Sequence, residues 1–161
     1  MNPGPKIKYD GPLTAKLLRQ WKKLSTKEQG ELAYIWDQEL KESNKVVRIA
    51  QFRRGENAVK LAVTGAFKLL MDDDSASLHA YLAQPEFKIN ARQFFRLMRV
   101  WQKWVNEFGY DYEDLYEIPL DILEQVAQLA TEDDKEKWLH ALKTLSVSDI
   151  KKYIKENSRA S

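Results

Sequence analysis

The chain is predicted to fold as an all-α, compact bundle of about eight helices that contains a helix-turn-helix-like unit. From Leu13 onward, apolar residues recur at three- and four-residue spacing, the period of one helix face. No segment alternates convincingly at period two, as a half-buried strand would. Gly and Pro read as falling only between the periodic runs, where they end helices. With 161 residues the chain can bury a core without disulfides or metal. Its 43% hydrophobic and 31% charged composition is that of a globular protein.

The opening MNPGPKIKYDGP is rich in Pro and Gly and reads as a flexible basic arm over residues 1–12. Leu17, Leu18, Trp21 and Leu24 mark the first helix. Ser25 and Glu28 have capping-box spacing at the start of a second, whose face carries Leu32, Ile35, Trp36, Leu40 and Val47. That helix either breaks at Ser43–Asn44 or runs on to Arg54, where Gly55 is a natural stop. Residues 56–71 read as a third helix, with Gly65 allowing close packing. Asp72, Asp73 and Asp74 lack the spacing and glycine of a calcium loop and read as helix capping. A short helix at 76–83 ends at Pro85. Asn90 then caps a long helix over 91–108, which Gly109 closes. Further helices follow: an acidic aromatic turn (YDYEDLYE), residues 119–130, a helix begun at Thr131, and a last one begun at Ser146 or Ser148. The organisation is an arm (1–12), an N-terminal helical region (13–71) and a helix-turn-helix-like and C-terminal region (72–161), the last two forming one domain over 13–157 in the simpler arrangement.

Charge is unevenly distributed. Residues 1–70 carry 14 Lys and Arg against 7 Asp and Glu, whereas residues 110–161 carry 7 against 12, leaving a net charge of +2 overall. One end is basic and the other acidic. Such polarity either orients a protein on a polyanion or draws the two ends together within the fold.

Several function classes are excluded or disfavoured. The chain has no Cys, so disulfides, thiol catalysis and Cys-based zinc sites are absent. His79 and His140 lie on different predicted helices without a ligand motif. No glycine-rich phosphate loop, nucleophile elbow or HExxH motif is present. A non-enzymatic protein with no cofactor and no metal is expected. No run of about 18 apolar residues and no signal-like segment occurs, so a cytoplasmic protein without membrane contact is expected.

The most informative constellation is Arg92, Arg96, Arg99 and Lys103. At about 100° per residue these four share an arc of roughly 60°, with Asn106 beside them and Glu107 at its edge. The rest of that helix is largely apolar, so it should show the outside a narrow positive strip. With the short helix and polar turn before it, this makes the outline of a helix-turn-helix. In that motif the first turns of the second helix face the bases. Arg92, Gln93 and Arg96 occupy those turns; Arg suits guanine and Gln suits adenine. Arg99 and Lys103 would meet phosphate, as would Lys88 and Asn90 near the helix start. Lys45, Arg48, Arg53, Arg54 and Lys60 would extend the phosphate surface if they lie alongside. The alternative is a solvated face whose cations pair with the acidic segment 110–136.

The stretch YLAQPEFKINARQFFRLMRVWQKWV, with LSVSDIKKYI near the end, resembles the helical DNA-binding regions of small proteins from bacteriophages and bacterial mobile elements. The resemblance covers roughly residues 77–154 and lies in the spacing of apolar and turn residues. It implies a DNA-binding regulator or accessory factor with its recognition helix over Asn90 to Arg99. It departs from that pattern in the turn, where Gln84 to Ile89 is long and contains no glycine. The partners expected are double-stranded DNA and, because operators are often palindromic, a second copy of the chain as a homodimer. The rival reading is a helical adaptor that presents the aromatic, acidic YDYEDLY segment to a protein partner.

Overall fold

In the computed structural model, Lys8 and residues 10–159 are described; most of the arm expected over residues 1–12 lies outside them. The fold is all-α, with nine α-helices and no strand among the described residues. They are α1 (Pro12–Lys22), α2 (Thr26–Thr64), α3 (Ala66–Met71), α4 (Leu78–Leu82), α5 (Ala91–Val100), α6 (Tyr112–Leu115), α7 (Leu120–Ala127), α8 (Lys135–Thr144) and α9 (Val147–Arg159). A 3₁₀ turn spans Pro85–Phe87, and α5 continues directly into a π-helical segment, Trp101–Glu107. Two compact units divide between Asn44 and Lys45.

The first unit is a helical hairpin. Ser25 and Glu28 form the expected capping box: the Ser25 amide donates to Glu28 Oε1 at 3.1 Å, and the Glu28 amide donates to Ser25 Oγ at 3.2 Å. Trp21 and Trp36 stack across the hairpin with ring centroids 5.6 Å apart, and Gln29 Nε2 donates to the Trp21 carbonyl at 2.9 Å. No residue of α1 is buried, and the first buried residue of α2 is Phe52.

The second unit holds two apolar clusters. The larger joins Phe52, Val100, Trp104, Ile122, Leu123, Trp138 and others from α2 to α9. Trp104 is fully buried there, and its indole N–H donates to the Leu123 carbonyl at 2.9 Å, which satisfies the one polar atom the ring carries inside. The smaller cluster gathers Ala58, Phe67, Tyr81, Leu82, Ala91 and Phe94.

Two glycines exchange the roles expected of them. α2 runs unbroken through Ser43–Asn44 and through Gly55, so Gly55 is not a stop, and glycine is not confined to the gaps between helices. Gly55 is buried, and a Cβ built on it would lie 2.5 Å from the Leu97 carbonyl oxygen and 3.2 Å from Trp101 Cβ. It is the point where the backbones of α2 and α5 touch. Gly65, by contrast, has φ +74° with nothing within 4 Å of its Cβ position. It ends the helix in the left-handed conformation, and close packing is not its role.

Local capping sets most other boundaries. Ser77 Oγ accepts from the Ala80 amide at 3.0 Å, and Ser146 Oγ accepts from the Asp149 amide at 3.2 Å. Asp73 instead binds the amide and hydroxyl of Ser75 at 2.9 and 2.6 Å. The acidic triplet therefore shapes a turn, and Ser77 caps α4. At the far end, Gly109 adopts φ +79° and closes the π segment as expected of a helix stop.

These geometries separate three glycine-to-alanine substitutions. Gly55→Ala should lower stability by about 1–3 kcal/mol, because its methyl group meets backbone that cannot swing aside. Gly65→Ala should lower it by about 1–2 kcal/mol through left-handed strain. Gly30→Ala, helical with nothing within 4 Å, should raise it by about 0.5–1 kcal/mol. Urea denaturation of the three variants beside the parent measures all three signs.

Candidate nucleic-acid interface

The connection into α5 solves its missing-glycine problem with a lysine. Lys88 adopts φ +59°, the left-handed conformation that a glycine usually supplies. Phe87, just before it, is held edge-on against Tyr81 and Phe94, with centroids 5.4 and 5.2 Å away. The packed ring anchors a strained turn. Asn90 then caps α5 as expected: its Oδ1 accepts from the Gln93 amide at 2.8 Å, and Gln93 Oε1 accepts from the Asn90 amide at 3.0 Å. Gln93 is thus part of a capping box, and reading adenine in bidentate fashion would require it to leave the cap.

The four strip cations have different surroundings. Arg92 is exposed and forms no ion pair among the described residues. Arg96 Nε lies 2.9 Å from Glu124 Oε2, and Arg99 Nη2 lies 3.6 Å from the same oxygen. The Arg96–Glu124 approach is oblique: a charge-to-charge contact whose buried atoms lack a well-aligned hydrogen bond. Lys103 pairs with Glu107 at 3.1 Å and lies over the Phe108 ring, 5.1 Å from its centroid. Lys103 lies within the π segment that starts at Trp101, and with Arg99 and Glu124 it lines one groove. Glu124, from the segment 110–136, has been drawn onto the strip.

The second basic cluster splits in two. Arg54 joins Gln51 on α2 and Gln93 and Arg96 on α5 around one cleft of about 140 Å³, floored by Leu97 and Leu120. Arg48 is half-buried within electrostatic reach: burial pushes its guanidinium pKa down, Asp121 opposes this and Arg96 adds to it. Three guanidinium groups from segments more than 40 positions apart therefore share one neighbourhood. Lys45, Arg53 and Lys60 face elsewhere. Lys45 pairs with Glu113 at 3.0 Å and lies over the Tyr116 ring; Lys60 pairs with Glu56 at 3.0 Å; Arg53 acts electrostatically on Glu56 and Tyr112. Gln51 and Glu124 were not singled out from the sequence. Gln51 carried a signal, lying one helical turn before Arg54, and Glu124 carried a coarser one, as a member of the acidic segment 110–136 expected to pair with the strip.

The YDYEDLY segment is pinned to α2. The Tyr112 hydroxyl accepts from Trp101 Nε1 at 3.1 Å and donates to Glu56 Oε1 at 2.5 Å, and its ring stacks on Phe52 at 5.3 Å. Burial, then the bond to Glu56, pushes the Tyr112 pKa up to about 12. The Glu56 carboxyl is held below its ordinary range, chiefly by the bond from Tyr112 and next by that from Lys60. Neither histidine has a metal-site setting. His79 stacks near Phe95, and no group of three His, Asp or Glu placed to hold a metal occurs among the described residues.

Tyr112→Phe should cost about 1–2 kcal/mol, the scale of a hydrogen bond to a charged group discounted for partial exposure. The pH dependence follows from the two shifts. The raised Tyr112 pKa gives a contribution complete below pH 10 and lost as pH climbs toward 12. The lowered Glu56 pKa gives one complete above its ordinary 4.5 and lost as pH falls below it. The pKa values of Tyr110 and Tyr116 are also raised, so absorbance titration should show several late-ionising tyrosines, of which the one near 12 is missing in Tyr112→Phe.

No family model, curated protein or solved structure matches the chain.

Proposed function

We propose that the protein is a non-enzymatic DNA-binding regulator or accessory factor, of the kind bacteriophages and bacterial mobile elements use, and that it meets duplex DNA with the cleft at the start of α5. One observation carries this reading: Arg54 and Arg96, from distant parts of the chain, line one cleft with Gln51 and Gln93. Lys88 and Arg92, both exposed and without ion pairs among the described residues, lie beside it in sequence. Amide and guanidinium groups in one concavity match the alternation of phosphate oxygens and base edges along a groove. In this reading α4, the 3₁₀ turn and α5 act as the helix-turn-helix-like unit. Arg92 reaches base edges, and Arg48 and Arg54 neutralise phosphates.

Glu124 has a part in this account. It holds Arg96 and Arg99 when no polyanion is present, and a phosphate would replace it. Partly exposed ion pairs are worth at most about 1 kcal/mol, so a duplex carrying many charges can displace one. The protein would rest electrostatically quenched and open its strip on binding.

Fluorescence anisotropy with a random duplex at two salt concentrations tests the reading. Affinity should fall steeply with salt, and Arg48→Ala with Arg54→Ala should flatten the log–log slope by about 2 if each contacts one phosphate. Glu124→Gln should tighten binding by releasing Arg96 and Arg99. Failure of the duplex to bind at low salt, or indifference of its affinity to all three substitutions, would sink the proposal.

A second reading, the helical protein adaptor, has its own support. An apolar groove of about 480 Å³ runs between α2, α5 and α7, lined by Val59, Ala62, Phe95, Met98 and Ala127. This groove suits a partner better than the YDYEDLY segment, whose Tyr112 and Tyr116 are engaged with Glu56 and Lys45. Retention of no nucleic acid at low salt would favour it.

A further inference from the structure

The helical hairpin of the first unit has an apolar face and, among the described residues, no core. On α1, Leu13, Leu17 and Leu18 are 81%, 49% and 53% exposed; on α2, Ile35, Trp36 and Leu40 are 48%, 43% and 64% exposed. These residues are not scattered. At about 100° per residue, Leu13, Leu17, Leu18, Trp21 and Leu24 fall within roughly 140° of one another, and so do Leu32, Ile35, Trp36 and Leu40. The stacked pair Trp21–Trp36 joins the two stripes into one surface. Two helices form only a single layer, and an apolar layer is stable when a second covers it. A two-helix hairpin doubled on itself is a four-helix bundle.

The charges identify the occupant. Residues 12–27 carry five Lys and Arg and no Asp or Glu, while residues 28–42 carry five Asp and Glu against the single Lys41. One helix of the hairpin is therefore cationic and the facing stretch of the other anionic. Two copies can stack face to face about a two-fold axis in either of two directions. An axis across the helices lays α1 on the partner's α1, cation on cation. An axis along the helices lays α1 on the partner's α2, and symmetry makes the same favourable match twice. A neutral or singly charged partner would satisfy only one half of the surface. We propose that α1 and the first part of α2 form a homodimerisation element, in which two hairpins build an antiparallel four-helix bundle with α1 of each copy against α2 of the other. This goes beyond DNA binding and stands or falls independently of it.

Sedimentation velocity on the full chain, without nucleic acid, is the test. The parent should sediment at twice its 18.9 kDa mass. Lys16→Glu with Lys23→Glu should give a monomer, and so should Glu31→Lys with Glu39→Lys; all four positions are exposed. An equimolar mixture of the two variants should recover a dimer, because each reversed helix then meets its complement. Circular dichroism reports whether each variant keeps its helices. Should either lose them, single cysteines in this Cys-free chain decide instead: a Leu17→Cys chain mixed with an Ile35→Cys chain should cross-link to each other in preference to themselves. A monomeric parent overturns the proposal and assigns the face to a different protein. A dimer untouched by either charge reversal places the interface elsewhere, and a mixture that stays monomeric, or cross-linking of α1 to α1, refutes the axis.

Discussion

Gly55 has no side chain, and that absence sets how closely α2 and α5 approach. A β-carbon there would sit 2.5 Å from the Leu97 carbonyl oxygen, so any other residue would drive the helices apart. Much of the second unit follows from this crossing. Phe52, one turn earlier, enters the cluster with Val100 and Trp104; Ala58, one turn later, enters the cluster with Phe94 and Tyr81. Arg54 is the immediate neighbour of the contact, which brings it to the cleft with Gln93 and Arg96. The candidate site is a by-product of a backbone contact.

Electrostatics then determine how that site is presented. Acidic residues of the C-terminal part reach cations nearer the N-terminus: Glu124 to Arg96 and Arg99, Glu113 to Lys45. The uneven distribution of charge along the chain is used inside the second unit. Both possibilities it raised, internal attraction and polyanion binding, bear on the same arginines, and the partly exposed pairs leave the second open to competition. Tyr112 and Glu56 form a firmer link, because a stacked ring and a charge-assisted hydrogen bond act together there.

The two units differ in kind. Residues beyond Asn44 enclose two buried clusters, whereas the hairpin before it encloses none. Apolar side chains of comparable size and spacing are thus buried in one unit and exposed in the other. The difference lies in how many layers surround them, since a helix stripe is covered only by another element.

Some helix starts were legible in the sequence because their caps depend on residues three apart, whereas Ser77 capping α4 and the start of α8 at Lys135 in place of Thr131 were not. Ser25 with Glu28, Asn90 with Gln93, and Ser146 with Asp149 each satisfy free amides within one turn, and no distant contact is needed. The all-α class and the position of Arg92, Arg96 and Arg99 on one helix were legible for the same reason. What each glycine does was not. Gly55 and Gly65 both sit in periodic apolar surroundings, and only the presence of Leu97 against one of them makes it a crossing point while the other ends the helix. The recruitment of Glu124 and the joining of Arg54 to Arg96 likewise depend on residues far apart in the chain. Local hydrogen bonding can be read from spacing, but which charges neutralise one another and which backbones touch is decided only when the helices pack.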